Sequence, residues 1–161
     1  MSGKTTVGRI IAEKMNYNFY DTDLLVSKNH NHSIKDIISK HGEDFFRIEE
    51  SKVIKDFSSK KDIVISIGGG AANKLTANSI KKYTYRIWLK CSIDVLMNRY
   101  EADENARPLL YNTNNIKKSL NEYFQHRHVF YSDSANIELD SEINSPHELS
   151  NQILSHINEK N

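Results

Sequence analysis

The sequence predicts an α/β fold of three layers, in which a central parallel sheet is flanked by helices. Short apolar segments rich in β-branched residues alternate along the chain with longer helical patterns. Parallel strands need crossover connections, which are usually helices, so this alternation indicates a parallel sheet covered on both faces. Because the 161 residues contain no repeat, linker or low-complexity tract, we expect one domain over residues 1–161.

Four segments have strand patterns. Residues 17–20 form a short segment that ends before Asp21. Residues 62–67 are a β-branched run stopped by three glycines, as expected for a strand buried on both faces. Residues 83–89 and 135–139 complete the set. Together they predict a sheet whose strands are separated in sequence by helices.

Helical patterns fill most of the remaining chain. They cover residues 6–14, 22–30, 33–40, 43–58, 72–81, 92–100, 115–132 and 146–158. Polar segments flank Arg107 and Pro108, so that residues 101–115 are predicted to form a mobile lid. Long loops in compact domains usually serve binding or catalysis.

Composition excludes several classes of protein. Lys and Arg number 22 against 21 Asp and Glu, giving a net charge of +1, so nothing marks the chain for nucleic acid or an anionic membrane. The single cysteine, Cys91, rules out an internal disulfide and is interpreted as a packing residue at a strand end. There is no apolar run of membrane-spanning length and no secretory signal. We expect a cytoplasmic monomer.

The first chemical motif is Gly3-Lys4-Thr5, which precedes the first helical pattern. It matches the end of a phosphate-binding loop, in which backbone N–H groups and the helix N-terminus face the phosphates. In such loops the lysine meets the β- and γ-phosphates and the hydroxyl ligates Mg²⁺. The triplet is short enough to occur by chance, so it depends on the motifs downstream.

The second motif, Asp21-Thr22-Asp23, directly follows a predicted strand. The carboxyl ends of parallel strands form the edge at which such sheets bind ligands. One carboxylate there could support a metal while the other binds a substrate hydroxyl. An aspartate before a helix is also a good N-cap, and both interpretations of Asp21 stay open.

The third motif is Gly68-Gly69-Gly70, after the strand at residues 62–67. Three glycines cost chain entropy, and a turn that needs one positive φ has no use for three. They permit close approach of the backbone to a ligand, although a plain tight turn is the alternative.

Three arginines lie in suggestive settings. Arg47 is three residues before Glu50 and can pair with it on one helix face, Arg107 lies in the predicted lid, and Arg127 precedes the last strand. Guanidinium groups bind carboxylates and phosphates in a bidentate manner, but each arginine alone is more often a surface residue. His30 and His32 could suggest a metal site, for which a solvated helix junction is the better interpretation.

Taken in order, these motifs resemble the shikimate kinase family from residue 2 to about residue 158. The residues that carry the resemblance are Gly3-Lys4-Thr5-Thr6-Val7-Gly8-Arg9, Phe19-Tyr20-Asp21-Thr22-Asp23, Gly42-Glu43-Asp44-Phe45-Phe46-Arg47-Ile48-Glu49-Glu50, Gly68-Gly69-Gly70, Arg107-Pro108-Leu109-Leu110, and Arg127 with Tyr131. The resemblance implies a P-loop kinase fold with a five-stranded parallel sheet. It also implies transfer of the ATP γ-phosphoryl group to the 3-hydroxyl of shikimate.

On the nucleotide side, the resemblance implies that Lys4 steadies the phosphates and that Thr5 holds Mg²⁺. Asp21 supports the metal through water, and Arg107 closes from the lid over the phosphates. The residues expected to bind ATP are Gly3, Lys4, Thr5, Thr6, Arg107 and Pro146.

On the acceptor side, the resemblance places the helical segment at residues 22–58 around shikimate. Asp23 takes shikimate hydroxyls and assists deprotonation of the attacking oxygen. Arg47 and Arg127 clamp the carboxylate, and the backbone of Gly68, Gly69 and Gly70 lines the pocket. Lys4, Asp23 and Arg107 are the expected catalytic residues, with ATP as co-substrate and Mg²⁺ as cofactor.

The family pattern and this sequence differ ahead of Gly3. The family has an apolar strand and a glycine-rich turn there, whereas this sequence has Met1 and Ser2. We expect upstream codons to encode roughly ten residues of strand and turn. Two alternatives stay open: a related small-molecule kinase with another acceptor, and a kinase-like binding protein without phosphoryl transfer.

Overall fold

The computed structural model describes residues 2–71, 80, 84–101 and 116–159. The predicted lid from residue 102 onward, with Arg107, and most of the predicted helix at residues 72–81 lie outside the described residues. The helices are α1 (Lys4–Met15), α2 (Thr22–His30), α3 (Ile34–His41), α4 (Glu43–Phe57), α5 (Ile93–Glu101), α6 (Ile116–Ser134) and α7 (Pro146–Asn158). The strands are β1 (Asn18–Asp21), β2 (Ile63–Ser66), β3 (Ile87–Lys90) and β4 (Ile137–Asp140), and a 3₁₀ turn covers Gly69–Ala71.

The described elements follow the predicted ones closely, with one difference at β3. This strand begins at Ile87, whereas the sequence pattern placed its start at residue 83. Side chains hold the preceding segment in a non-strand conformation: the Thr84 hydroxyl donates to the Ile80 carbonyl at 2.7 Å, and Arg86 Nη1 donates to the Thr84 carbonyl at 2.8 Å. A β-rich composition therefore does not produce pairing there.

The strands form two separate parallel pairs. In one pair Asn18 lies opposite Ile63, and in the other Ile87 lies opposite Ile137. The family resemblance implied five strands in one sheet, whereas the described residues form two sheets of two strands each. Both pairs are parallel, as the predicted α/β fold with a parallel sheet between helices requires.

One apolar core nevertheless joins both pairs. Val7 and Ile11 of α1 and Ile153 of α7 cluster with Leu89 of β3, and Val64 of β2 packs against the same cluster. The two pairs therefore share one covering layer of helices. On the opposite face, Ile67 after β2 packs against a second cluster, which contains Ile54 of α4. Successive side chains along a strand point to opposite faces, and residues 64 and 67 are an odd number of positions apart. The two clusters therefore lie on opposite faces of the strands, as a three-layer fold requires.

The helix α1 lies very close to the β1–β2 pair. A Cβ atom on Gly8 would lie 2.7 Å from Cε2 of Phe19 and 3.6 Å from Cγ1 of Val64. A side chain at this position would push the helix away from the strands. Because Gly8 has no side chain, α1 can lie this close to the strands. This contact sets the height of α1 over the strands and therefore the position of Lys4.

The helices α2, α3 and α4 form a separate helical unit. Val26, Ile37, Phe46 and Val53 build its core, to which all three helices contribute. The predicted helical segment at residues 22–58 therefore exists as a packed unit. Because α2 begins directly after β1, Asp23 in its first turn lies at the carboxyl ends of the strands.

An open cleft of about 790 Å³ runs between β2 and β3. Its lining includes every residue from 63 to 67 and every residue from 84 to 89, together with Ser2. Because alternate residues of a strand point to opposite faces, a cleft that touches consecutive residues follows the strand edge. Each of these two strands thus has one paired edge and one edge along the cleft, within the part of the chain that the structure describes.

We predict that an added strand stabilises this fold. Attaching an apolar, β-branched pentapeptide and a glycine turn ahead of Ser2 should raise the free energy of unfolding by at least about 2 kcal/mol, because one buried Val or Ile side chain contributes about 1.5–3 kcal/mol and two open edges gain partners. Urea unfolding measures the change. An extension of equal length with prolines at alternate positions is the control, and equal stability of both extended chains would contradict the prediction.

Candidate active site

The N-terminus of α1 is built to face an anion. Its N-cap, Gly3, has a φ of 86° and makes no side-chain cap hydrogen bond. A left-handed residue other than glycine costs roughly 1–2 kcal/mol here. The first-turn N–H groups of a helix have no partners within the helix, and the helix dipole adds positive potential. Lys4 is the first helical residue and lines the main cleft. This arrangement suits phosphate oxygens.

Thr5 and Asp21 lie together at the end of β1. The Thr5 hydroxyl donates to Asp21 Oδ2 at 3.1 Å, and the backbone N–H of Asp23 donates to Asp21 Oδ1 at 3.1 Å. Asp21 is therefore the N-cap of α2, and its second oxygen is available on the side of Thr5. Both sequence interpretations of Asp21 thus fit the same carboxylate, one through each oxygen.

The donor set at Thr5 and Asp21 fits Mg²⁺. A hydroxyl and a carboxylate are hard oxygen ligands, and Mg²⁺ usually binds through one or two such groups together with waters and substrate phosphates. Within the described ranges no group of three or more His, Cys, Asp or Glu side chains could hold a metal ion by itself. A metal here would depend on phosphate oxygens, as in other phosphoryl-transfer sites.

The glycine triplet is explained by the side chains packed on it. None of the three glycines has a positive φ. Among the described glycines, only Gly3 and Gly42 do. A Cβ on Gly70 would overlap with the guanidinium group of Arg47, and a Cβ on Gly68 would overlap with Glu50 Oε1 and lie 2.7 Å from Asp23 Oδ1. Gly68 and Gly70 are therefore required for close approach of charged side chains. The prediction named close approach to a ligand, and it did not foresee these side chains.

Arg47 is held by two carboxylates of its own helix. Its Nη1 donates to Glu50 Oε2 at 2.8 Å, and its Nη2 and Nε donate to Glu43 Oε1 at 2.9 Å and 3.2 Å. The Arg47 side chain is 18% exposed, so its guanidinium group is largely buried but still lines the cleft. The predicted pairing with Glu50 is present, and Glu43 was not predicted.

Glu50 is the buried member of this group, with a side chain that is 0% exposed. Burial raises its pKa to about 7; the positive charges of Arg47 and Arg127 oppose this rise, and the negative charge of Asp23 adds to it. Its carboxyl group is therefore poised to titrate near neutral pH.

Arg127 reaches the same cleft from α6. Its guanidinium carbon lies 4.5 Å from the centroid of the Tyr123 ring, a cation–π arrangement that fixes the side chain. One turn further along, the Tyr131 hydroxyl donates to the Gly69 carbonyl at 2.6 Å and ties α6 to the glycine triplet. Trp88 of β3 packs on Tyr131 with a centroid distance of 5.4 Å.

The open cleft extends past the ends of β1 and β2, and there it brings together the residues predicted for the acceptor side and Lys4, the predicted catalytic lysine. The following residues line it together: Lys4, Asp23, Arg47, Gly68, Gly69, Gly70 and Arg127. They come from α1, α2, α4, the loop after β2, and α6. Arg107, the third predicted catalytic residue, lies outside the described residues. Positive groups and one carboxylate around a common space suit an anionic ligand that carries hydroxyls.

A second, smaller cleft of about 250 Å³ lies on the other side of the α1 N-terminus. It is lined by Gly3, Thr6 and Pro146, three residues predicted for the nucleotide side, and also by Arg99 and Asn144. Sequence reasoning missed Arg99, whose Nη2 donates to the Ser141 carbonyl at 2.9 Å. No motif marks Arg99, since only the packing of α5 beside the loop after β4 brings it there.

Other predicted features are structural. Cys91 is buried, in agreement with a packing role, and burial raises the pKa of its thiol. His30 Nε2 lies 3.0 Å from Glu49 Oε2, and His32 Nε2 lies 3.3 Å from Lys40 Nζ, so neither histidine joins a metal cluster in the described part of the chain. No described helix combines the length and apolar character needed to cross a membrane.

The fold and the two clefts define the class of protein: a P-loop α/β kinase acting on a small molecule. Comparison with known proteins gives the family. The family model for shikimate kinase matches residues 1–158. The chain is 35% identical to the shikimate kinase of Persephonella marina over 157 residues, 97% of this chain and 93% of that protein. It is 36% identical to the shikimate kinase of Sulfurihydrogenibium sp., over 97% of this chain and 92% of that one.

Solved structures agree with the sequence matches. A shikimate kinase from Acinetobacter baumannii in complex with shikimate has a TM-score of 0.91 and 27% identity, covering 99% of this chain and 88% of that one. The shikimate kinase of Aquifex aeolicus has a TM-score of 0.84 and 34% identity, covering 99% and 92%. The chain belongs to the shikimate kinase family, whose members are ATP-dependent kinases.

We predict that Gly70→Ala weakens binding of shikimate at least tenfold by displacing Arg47. The added methyl group overlaps with the guanidinium, which must move and lose its ion pair with Glu50. Calorimetric titration measures the affinity, and thermal melting checks the fold. In an Arg47→Ala background, adding Gly70→Ala should cost no further affinity, because the two changes act through one contact. Additive losses would contradict this explanation.

Proposed function

We propose that this protein is a shikimate kinase that transfers the γ-phosphoryl group of ATP to the 3-hydroxyl of shikimate, giving shikimate 3-phosphate and ADP. One observation carries the proposal. Two guanidinium groups and a carboxylate, supplied by three different helices, line one cleft together with the lysine at the phosphate-facing helix N-terminus. Membership of the family supports the same conclusion.

On the acceptor side, Arg47 and Arg127 bind the substrate carboxylate. Arg47 is preorganised by Glu43 and Glu50, so little side-chain entropy is lost when the anion binds. Arg127 is restrained by its contact with Tyr123. Two partly enclosed guanidinium groups select an anionic acceptor over a neutral sugar of similar size.

Asp23 orients the reacting hydroxyl. Its backbone N–H is fixed by Asp21, and its Oδ1 lies close to Gly68 at the edge of the acceptor cleft. The hydroxyl oxygen attacks the γ-phosphorus as the bond from that phosphorus to the β–γ bridging oxygen breaks. The hydroxyl proton passes to the Asp23 carboxylate, and ADP leaves. Such transfers need positioning and charge stabilisation more than covalent catalysis.

On the nucleotide side, the first turn of α1 and Lys4 bind the β- and γ-phosphates. Thr5 and Asp21 are the residues that would hold Mg²⁺, which neutralises phosphate charge when bound. The second cleft suits the base, because it is lined by Gly3 and Thr6 at the start of α1 and by Arg99, whose planar guanidinium can stack on an aromatic ring. Arg107 remains a predicted phosphate ligand. We also place the enzyme in the cytoplasm, in keeping with its one buried free thiol.

The test is an ADP-release assay with shikimate, gluconate and nucleoside monophosphates as acceptors. It is run on residues 1–161 and on the chain extended by an apolar strand and a glycine-rich turn. Shikimate-dependent ADP formation in the extended chain, with little use of the other acceptors, is the expected result. Turnover of gluconate without shikimate would identify a related kinase, and binding without turnover in both chains would identify a binding protein.

We predict that Arg127→Ala weakens shikimate binding by roughly 2–5 kcal/mol, the usual cost of truncating one partner of an enclosed charge pair. ATP affinity should change little, because Arg127 belongs to the acceptor cleft. Titration of each ligand separately measures both affinities. Arg9→Ala removes an exposed arginine that rests on Phe19, and it serves as the control. Equal losses for ATP and shikimate would rule out this division of roles.

We predict that Asp23→Asn lowers kcat much more than it changes the affinity for either substrate. Asparagine keeps the shape and one hydrogen-bond acceptor, but it cannot take the hydroxyl proton. Steady-state kinetics with shikimate measure kcat and KM for both substrates. An unchanged kcat would show that proton removal does not involve Asp23.

A further inference from the structure

Glu50 is a buried carboxyl group that positions Arg47 but takes no direct part in the proposed proton and phosphoryl transfer. Its Oε2 accepts from Arg47 Nη1 at 2.8 Å, while its Oε1 has no hydrogen-bond partner among the residues that the structure describes. The unpartnered Oε1 lies against Gly68, where Asp23 Oδ1 also lies. A buried polar atom without a partner is costly, and it calls for an explanation.

The charged surroundings of Glu50 are shared with the acceptor cleft. Arg47 acts on it from its own helix α4, Asp23 from α2 and Arg127 from α6. Glu43 of α4 reaches it indirectly, because it binds the other side of the Arg47 guanidinium. The described start of the loop after β2 approaches Glu50 with the backbone of Gly68. Arg47 and Arg127, the cations that act on Glu50 from the described residues, are therefore ones that the acceptor carboxylate would also contact.

An anionic acceptor changes the balance of these charges. In the free protein Arg47 and Arg127 favour the ionised form of Glu50, while burial and Asp23 favour the protonated form. A carboxylate bound to the two arginines offsets their positive charge and excludes water from the cleft. Both effects disfavour a second negative charge beneath the same guanidinium.

We propose that Glu50 takes up a proton when the acceptor carboxylate binds, and that the proton resides on Oε1. The O–H group would then face Asp23 and remove the repulsion between the two carboxylates over Gly68. Protonation would remove the negative charge of Glu50 from Arg47, and the acceptor carboxylate would supply a negative charge to Arg47 instead. This inference rests on the proposed function, since it takes the ligand to be a carboxylate held by Arg47 and Arg127.

The pKa of Glu50 gives the direction of the pH dependence. Its value in the free protein is about 7, and binding raises it further. The contribution of Glu50 to shikimate affinity is therefore constant well below pH 7 and falls as the pH rises through 7, by at most about tenfold per pH unit for one linked proton, until the pH passes the raised pKa of the complex. The same residue lowers stability as pH rises, because its folded pKa lies above its ordinary value of 4.5.

Calorimetric titration of shikimate into the 161-residue chain at pH 7, in buffers with different ionisation enthalpies, tests the proposal. The observed enthalpy should depend on the buffer, with uptake of up to about half a proton, because a group with a pKa near 7 is half protonated beforehand. Glu50→Gln should abolish this uptake. Glu43→Gln is the matched control: Glu43 also binds Arg47 but is 38% exposed, and this variant should keep the uptake.

The outcomes separate this inference from the proposed function. Shikimate binding without proton uptake, or uptake that persists in Glu50→Gln, overturns the role of Glu50 and leaves the function intact. If shikimate fails to bind, both proposals are wrong as stated. Should Glu50→Gln not fold, carbon-13 titration of the glutamate carboxyls in the unaltered protein decides instead. One midpoint near pH 7 should move upward with shikimate, and an unmoved midpoint overturns the inference.

Discussion

The proposed acceptor side of the site depends on the buried ion pair between Arg47 and Glu50. Its distance is 2.8 Å, and the glutamate side chain is fully enclosed. Removing one partner of such a pair typically costs about 3–5 kcal/mol, because the other charge stays buried. The pair also determines where the loop after β2 can run, since Gly70 packs directly on the guanidinium. A change at any of these three positions is therefore felt at the other two.

The loop after β2 is shaped by this pair more than by backbone conformation. None of the three glycines has a positive φ, so the backbone conformation alone would accept alanine at these positions. Alanine is excluded by what lies above it: Arg47 over Gly70, and the carboxylates of Glu50 and Asp23 over Gly68. The Thr22 hydroxyl accepts from the Gly68 N–H at 3.1 Å and holds the loop from the other direction.

Much of the fold followed from the sequence because its signals are local. The β-branched run before the triplet became β2, and Ser145-Pro146 became the capped start of α7. The residues that the motifs marked for the acceptor also line one cleft, and their roles stay predictions. Tertiary contacts could not be derived from local signals. Which strands pair, and the approach of Arg99 to Pro146, depend on packing between elements far apart in sequence.

The two interpretations of Asp21 show a different limit of sequence reasoning. The sequence offered an N-cap or a metal ligand as alternatives, and a carboxylate has two oxygens that can serve both. Oδ1 accepts from the Asp23 N–H, while Oδ2 faces the Thr5 hydroxyl. Capping therefore fixes the direction of the oxygen that a cation would use. The geometry of the cap is therefore compatible with both interpretations, and the metal role of Asp21 stays a prediction.

The packing of α1 has a direct consequence for the proposed phosphoryl transfer. The proposed acceptor residues Asp23 and Gly68 follow β1 and β2, whereas Arg99 and Pro146 of the second cleft follow β3 and β4. On the face covered by α1 and α7, one apolar core joins the two strand pairs. In-line transfer tolerates errors of about 1 Å poorly. The distance between donor and acceptor therefore depends on how firmly α1 packs on the strands, and the close contact of Gly8 with Phe19 sets its height over β1.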